Sequence, residues 1–191
     1  MRKLVLSMFM SLDGSITDRD GGFVGPDWSD DLETHWAGHA LSRAGRLLFG
    51  RVNFAFMREF WEPGATDPSS PAAGMSETPI MNRLPKTVIS GTLTGDPGWN
   101  ATLGAGDLAD VVGALKAMDE PGDIYCFGGA GVAKSLVARD LPDAYDVMIT
   151  PKLMGGGTKL FGEGFSTLDL ALDECRQLDT GAVILRYSRK R

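Results

Sequence analysis

Apolar positions along the chain follow two different spacings. Residues 4–10 are almost continuously apolar, as expected for a strand that is buried on both faces of a sheet. Farther along, Leu32, Trp36 and Ala40 recur every four residues and predict the buried stripe of a helix. Two residues before this stripe could cap the helix: Ser29 or Asp27.

The same reasoning predicts short strands and helices that alternate along the chain. Asp107 precedes a segment of helical spacing, whose apolar positions are Leu108, Val111, Val112, Leu115 and Met118. Further helices are predicted at residues 53–61, 79–84 and 132–139. Further strands are predicted at residues 46–50, 87–90, 124–127 and 145–150. Two long loops are predicted, at residues 63–74, which could be a lid or a disordered insertion, and at residues 91–106.

The end of the chain has the alternation of a β-hairpin. A turn at residues 179–181 separates two alternating strands, with Leu168, Leu170 and Leu172 on one and Val183, Leu185 and Tyr187 on the other. Together these elements predict one α/β domain over residues 1–191, with a mainly parallel central sheet, helices on both faces and a C-terminal antiparallel hairpin. The first hairpin strand would also suit a homodimer interface.

Composition and charge argue against several classes of function. The net charge is −6 and only residues 186–191 are rich in Lys and Arg, so we expect no nucleic-acid partner. Cys126 and Cys175 lie far apart, and His35 and His39 lack a third ligand, so we expect no metal site and no disulfide framework. We find neither a membrane span nor a signal-peptide cleavage pattern, and we therefore expect a cytoplasmic protein without a membrane partner.

The most informative local feature is a glycine turn between the strand at 124–127 and the helix at 132–139. Glycines let the backbone approach a phosphate closely, and the first N–H groups of a helix attract negative charge. Two nucleotide-binding patterns nearly fit. The dinucleotide pattern G-x-G-x-x-G has Lys134 at its third glycine, and the phosphate-loop pattern G-x-x-x-x-G-K-[ST] has Ala133 at its second. The turn predicts either an anion site or a tight turn without a ligand.

Five motifs, taken in order, resemble the reductase domain of riboflavin biosynthesis, which is a relative of dihydrofolate reductase. They are SLDG at residues 11–14, Gly50-Arg51, VIS-x-T at 88–92, FGGAG at 127–131 and P-x-L-x-G-G-G at 151–157. The resemblance covers most of the chain, from residue 4 to residue 161. It implies a dihydrofolate-reductase-like fold and a reductase that uses NADPH on a small-molecule substrate.

By this resemblance, NADPH would lie across the carboxyl ends of the strands, where ligands of open α/β sheets bind. Gly50, Arg51 and Asn53 would hold phosphate, with Arg51 pairing with the adenosine 2′-phosphate. The family usually has Thr at the position of Asn53. Ser90 and Thr92 would line the adenosine. The pyrophosphate would be held by Gly128, Gly129, Ala130, Gly131, Val132 and Ala133.

The resemblance places the substrate at Ser11 and Asp13. The Asp13 carboxylate could orient a heterocycle or relay a proton, although an Asp-Gly pair also forms an ordinary turn. Residues 17–22 could form a flap that excludes water from the hydride transfer. Glu163 is a second candidate acid, and its alternative is a loop carboxylate in water.

The sequence leaves three functions open. The first is NADPH-dependent reduction of a pyrimidine- or pterin-type heterocycle, as in the phosphoribosylaminouracil reductase of riboflavin biosynthesis or in dihydrofolate reductase. The second is an NADP(H)-binding relative without activity. The third is a phosphotransferase with a degenerate phosphate loop around Lys134. The zinc-deaminase patterns H-x-E and P-C-x-x-C are absent from the sequence, so a reductase of this kind would supply only the reductase step or reduce another compound.

Overall fold

One sheet of eight strands runs through the computed structural model, which describes residues 1–23, 25–127, 129–163 and 165–191. The strands are β1 (Leu4–Ser11), β2 (Ala44–Gly50), β3 (Lys86–Ile89), β4 (Ala101–Gly104), β5 (Asp123–Phe127), β6 (Ala144–Thr150), β7 (Leu170–Gln177) and β8 (Val183–Arg189). Their spatial order is β4-β3-β2-β5-β1-β6-β8-β7. The strands β1 to β6 are parallel, and the hairpin of β7 and β8 joins β6 in antiparallel register.

Helices connect the parallel strands. The helix α1 (Asp30–Leu32) continues through a π-helical segment (Glu33–Gly38) into α2 (His39–Arg43). The others are α3 (Arg51–Trp61), α4 (Thr78–Arg83), α5 (Leu108–Ala117) and α6 (Ala130–Ala138), with a 3-10 turn at Pro63–Ala65. The predicted fold class, a mainly parallel α/β sheet with a C-terminal antiparallel hairpin, is confirmed.

The two faces of the sheet carry separate cores, because successive side chains of a strand point to opposite faces. Leu4, Leu6 and Met8 of β1 pack in one core with α5 and α6. Val5, on the other face, packs in a second core with residues of α2, α3 and α4. A third cluster, around Leu32 and Trp36, covers the same second face next to β6 and β8. The helices therefore lie on both faces, as predicted.

The π-helical segment was not predicted, and a buried arginine accompanies it. Arg186 of β8 is 8% exposed and donates to the His35 carbonyl of the segment and to the Glu174 carboxylate. A contact between residues so distant in the sequence leaves no trace in local spacing.

Two predicted loops are corrected by the structure. The loop at 91–106 contains β4, a four-residue edge strand that pairs with β3 and has too few apolar residues to stand out. The loop at 63–74 is a series of packed turns in which Ala72 is fully buried and its carbonyl accepts from the Thr78 hydroxyl at 2.5 Å. It follows the C-terminal end of α3, so it lies away from the carboxyl ends of the strands and is neither a lid there nor an unstructured insertion.

Smaller corrections concern β7 and α5. The strand β7 begins at Leu170 and extends to Gln177, so Leu168 lies outside it. Its later residues are polar because β7 is an edge strand with an exposed side. Met118 was predicted as part of the apolar stripe of α5, but it follows the end of the helix and is 41% exposed. Among the described helices, none has the length and apolar composition needed to cross a bilayer.

Candidate active site

The six parallel strands end at the same side of the sheet, which we call the carboxyl edge. The loops that follow these strands contain the predicted motifs, including the turn after β1 and the glycine turn after β5. Many large apolar side chains are exposed on these loops and on the first two turns of the helices, namely Leu12, Phe23, Trp28, Val52, Phe56, Leu153 and Phe165. An exposed apolar surface at this position of an open α/β sheet indicates a ligand site.

The helices that begin at this edge differ in how their first N–H groups are satisfied. Ser29 caps α1 and Asp107 caps α5, each accepting from a first-turn N–H, at 3.2 and 2.8 Å. The helices α3 and α6 instead follow Gly50 and Gly129, which have no side chain to cap them. Their first N–H groups remain available to an anion, whose charge the helix dipole would favour.

The two uncapped helix ends touch each other. The Asn53 side chain of α3 donates to the Phe127 carbonyl at the end of β5, at 2.5 Å. A Cβ on Gly129 would lie 3.3 Å from Asn53 Cβ, and a Cβ on Gly50 would lie 3.4 Å from Val132 Cβ. Gly129 also has a φ of +91°, which residues with a side chain rarely adopt. Glycine is therefore required at the point where the two helix ends meet.

The structure brings most of the predicted cofactor residues to this point. Gly50, Asn53, Gly129 and Val132 are in contact as described, and Ala130, Gly131 and Ala133 belong to the first turn of α6. Gly128 lies outside the described residues. Arg51 is the first residue of α3 and is exposed.

Ser90 and Thr92 lie farther along the same edge. They follow β3, whose Ile89 is the register partner of Gly50. The Ser90 hydroxyl accepts from the backbone of Thr92 at 3.1 Å and of Leu93 at 2.9 Å, so it shapes a turn. Thr92 is exposed and free to meet a ligand.

Asp13 joins the loop after β1 to the glycine-rich loop after β6. Its Oδ1 accepts from the Ser11 hydroxyl at 2.5 Å and from the Met154 N–H at 3.0 Å. Its Oδ2 accepts from the Gly155 N–H at 3.1 Å and from Lys159 Nζ at 3.2 Å. These bonds, that from Met154 first and that from Ser11 next, hold the pKa of the Asp13 carboxyl well below its usual range. Asp13 is thus a permanent carboxylate whose main contacts lie inside the two loops.

Ser11 and Lys159 complete this arrangement. Ser11 is 1% exposed, and its hydroxyl both donates to Asp13 and accepts from the Ser15 N–H at 2.9 Å. The Lys159 ammonium donates to Asp13 and also to the Ser15 hydroxyl at 3.0 Å, while about half of its side chain stays exposed. Sequence reasoning missed Lys159, because no motif links it to a carboxylate so far away in the chain.

The predicted flap is an ordered hairpin in the described residues. Thr17 and Phe23 form a β-bridge, and the Asp18 carboxylate accepts from two backbone N–H groups of the turn between them, at 3.0 and 2.7 Å. Arg19 of this turn donates to the Gly155 carbonyl at 3.1 Å. The turn of the hairpin is therefore attached to the same glycine-rich loop that Asp13 binds.

An aromatic cluster that the sequence did not reveal extends from the flap across the second face of the sheet. The Phe23 ring contacts Phe9 of β1 and Phe56 of α3, with centroid distances of 5.4 and 5.9 Å. Phe9 in turn lies 6.5 Å from Trp36 of the π-helical segment. The abundance of Phe in α3 was visible in the sequence, but its partners lie on separate segments.

Comparison with known proteins identifies the family. The family model described as the RibD C-terminal domain matches residues 2–184, nearly the whole chain. The chain belongs to the RibD C-terminal domain family. This is a reductase-type family, so the resemblance seen in the five sequence motifs is confirmed.

Similar proteins agree with this assignment. The protein YyaP of Bacillus subtilis strain 168, itself uncharacterized, is 24% identical over 187 residues, which are 97% of this chain and 94% of YyaP. A crystal structure of a Shewanella sp. PV-4 protein assigned to riboflavin biosynthesis is 25% identical, with full coverage of both chains and a TM-score of 0.76. Dihydrofolate reductase from Enterococcus faecalis, solved with NADP(H) and RAB-propyl, is 13% identical, covers 99% of this chain and 97% of its own, and has a TM-score of 0.62. That likeness shows the dihydrofolate-reductase-like fold.

The structure also places the remaining candidates of this RibD C-terminal domain. Glu163 is an exposed residue of the long loop after β6. Lys134, central to the phosphotransferase hypothesis, packs its aliphatic chain near Gly162, whose added Cβ would lie 3.4 Å from Lys134 Cδ. His35 lies 3.5 Å from Asp31 on the helix surface. In the described part of the chain, no group of His, Cys, Asp and Glu could hold a metal ion.

Proposed function

We propose that this protein is an NADPH-dependent reductase of a flat pyrimidine- or pterin-type heterocycle. The observation that carries the proposal is the meeting of two helices, α3 and α6, that are each preceded by a glycine and lack a side-chain cap, at the carboxyl edge. Two helix N-termini side by side suit a dinucleotide, which brings several negative charges to one place. Membership of a reductase-type family supports the same conclusion.

The residues at this edge fit the cofactor. The α6 start, Gly129–Ala133, offers open N–H groups to the pyrophosphate, and Gly129 keeps the approach free of a side chain. Arg51 is placed at the open end of α3, where its guanidinium suits the 2′-phosphate that distinguishes NADPH from NADH. Thr92 and the turn shaped by Ser90 would line the adenosine. NADPH, when bound, supplies the hydride.

On the substrate side we assign Asp13 a positioning role. Of the two roles that the sequence left open, orientation suits a carboxylate with a low pKa better than a proton relay does, because a relay must hold a proton near neutral pH. Asp13 and Lys159 together fix the loops on both sides of the substrate position. The exposed Glu163 stays the predicted acid, and a cytoplasmic location and a homodimer also stay predictions.

The test is a titration of the purified protein with NADPH, with NADH and Mg-ATP as controls, read by ligand fluorescence. We expect NADPH to bind more tightly than NADH, and Arg51→Ala to remove most of that difference. Arg83→Ala, an exposed arginine of α4, is the matched control and should change nothing. Binding of Mg-ATP without NADPH would overturn the proposal in favour of a phosphotransferase.

A positive titration leads to a turnover screen. Loss of NADPH absorbance would be followed with dihydrofolate and with aminouracil ribosides. We expect oxidation of NADPH with at least one of these heterocycles. NADPH binding without turnover on any pterin or pyrimidine would show the non-catalytic relative instead.

A further inference from the structure

Among the described residues, two clusters contain three or more aromatic rings, and only one of them is buried throughout. Phe49, Phe54 and Trp99 pack with centroid distances of 5.7–6.2 Å and are at most 7% exposed. Phe23 and Phe56 are in similar contact, at 5.9 Å, yet they are 59% and 51% exposed. Burial therefore explains the first cluster but not the exposed pair of Phe23 and Phe56.

The backbone holds the exposed rings in place. Phe23 is fixed by its bridge to Thr17 and by the Asp18-capped turn between them. Phe56 lies in the second turn of α3, a regular helix. An apolar ring that is both exposed and held by ordered backbone is prepared for contact with a ligand, since little conformational entropy remains to be lost on binding.

The position of the rings relative to the polar groups limits the kinds of ligand that fit this surface. Phe9, which Phe23 covers edge-on, and Ser11 lie on the same face of β1, two residues or about 7 Å apart. Ser11 adjoins Asp13 and Lys159 at the carboxyl edge. A ligand that lies along this line meets ring faces at one end and charged, hydrogen-bonding groups at the other. A flat heteroaromatic ring, with apolar faces and a polar rim, has that distribution of chemistry.

We propose that Phe23 and Phe56 form a stacking site for the flat heterocycle of the substrate, with Phe9 as its floor. This inference rests on the proposed function and adds to it the residues that select a flat ring. A flat ring offers an apolar face to such side chains over its whole area, and a puckered ring offers less, so the pair would also favour oxidised over fully reduced heterocycles.

The test uses the full chain saturated with NADP⁺, which fills the cofactor site without allowing hydride transfer. Pterin and lumazine, two fluorescent flat heterocycles, are titrated by fluorescence anisotropy, and tetrahydropterin serves as the nonplanar competitor. The variants are Phe23→Leu and Phe56→Leu. The matched control is Phe60→Leu, one turn farther along α3, where the ring packs against Trp61 at 4.9 Å.

We expect at least one flat heterocycle to bind, and each of Phe23→Leu and Phe56→Leu to weaken it about tenfold, the scale of a lost aromatic pair. Phe60→Leu should leave this affinity unchanged, tetrahydropterin should compete poorly, and all variants should bind NADP⁺ equally. Equal binding of the heterocycle by the wild-type protein and both site variants would overturn the inference, as would NADP⁺ binding with no binding of either heterocycle. Failure of NADP⁺ binding would instead overturn the proposed function. The same heterocycle titrations of the wild-type protein and the variants, made without NADP⁺, would then test whether Phe23 and Phe56 bind a flat ring.

Discussion

The two ends of the parallel sheet satisfy their polar groups in opposite ways. At the amino ends of the strands, the Glu120 carboxylate accepts from the buried guanidiniums of Arg2 and Arg46, each at 2.7 Å. Arg2 also donates to the Gly122 carbonyl, and buried Lys86 donates to the Leu84 carbonyl at 2.7 Å. At the carboxyl edge, by contrast, two helices are preceded by a glycine in place of a capping side chain, which leaves their first N–H groups open.

The difference separates stability from function in this fold. Loss of one partner from an ion pair with a buried arginine strongly destabilises the folded chain. The polar groups at the amino end therefore serve stability. Open N–H groups and exposed rings contribute little to the free energy of folding. They contribute instead to the free energy of ligand binding. Substitutions at the two ends should therefore change different measurements.

The largest expected effect is at the junction of α3 and α6. Gly129→Val forces a side chain onto a φ of +91° and toward Asn53, a strain of about 1–3 kcal/mol at the phosphate position. We expect NADPH affinity to fall by more than about a hundredfold, since the turn can no longer aim its N–H groups. Gly113→Ala, in the middle of α5 with open space around it, is the control and should not weaken NADPH binding. A folded Gly129→Val protein with wild-type affinity would show that the junction is not the cofactor site.

The next effect lies at the amino end and concerns stability alone. Glu120→Gln leaves Arg2 and Arg46 without their shared counter-ion. Urea unfolding should show a loss of about 2–3 kcal/mol, less than the 3–5 kcal/mol of a fully buried pair because a third of Glu120 is in water. NADPH affinity should not change. Glu59→Gln, an exposed acid of α3, is the matched control and should have no measurable effect on stability. Unchanged stability of Glu120→Gln would contradict the assignment of this end to folding.

The smallest expected effect is a pH dependence of the free energy of unfolding that is caused by Lys86. Its ammonium lies 4.2 Å from the Trp99 ring centroid. Burial lowers the pKa of Lys86 to about 8, so between pH 8 and 10.5 the unfolded chain binds more protons than the folded one. The free energy of unfolding should therefore rise with pH in this window, on the order of 1 kcal/mol by pH 9.5. Lys86→Met should lack this rise, which chemical denaturation of both proteins at pH 8 and 9.5 would measure. Parallel curves for the two proteins would mean that Lys86 is not held in this environment.

Local sequence signals predicted those parts of the molecule that depend on neighbours in the chain. The Asp107 cap, the apolar stripe of Leu32, Trp36 and Ala40, and the glycine turn before α6 are all encoded within a few residues. The motif resemblance extended this to the fold class and to the family. Of the cofactor residues, Asn53 bonds the strand end that leads into the glycine turn, and Gly50 lies next to Val132 in the first turn of α6.

Features that depend on the order of strands in the sheet could not be predicted in this way. Arg46 and Glu120 meet only because β2 and β5 are neighbours, and Phe23 meets Phe56 only through the path of the flap. The contact of Asp13 with Lys159 likewise requires β1 beside β6. The short strand β4 exists through its pairing with β3 rather than through its own composition.

The most direct test of the account is amide hydrogen exchange with and without NADPH. We predict slower exchange in the cofactor complex at residues 50–54 and 129–133, where the two open helix ends meet. The non-proline residues of 83–85 and 120–122, which line a shallow hollow at the amino ends of the strands, should exchange equally in both states. Slower exchange at that hollow, with no change at 50–54 and 129–133, would contradict the assignment of cofactor binding to the carboxyl edge.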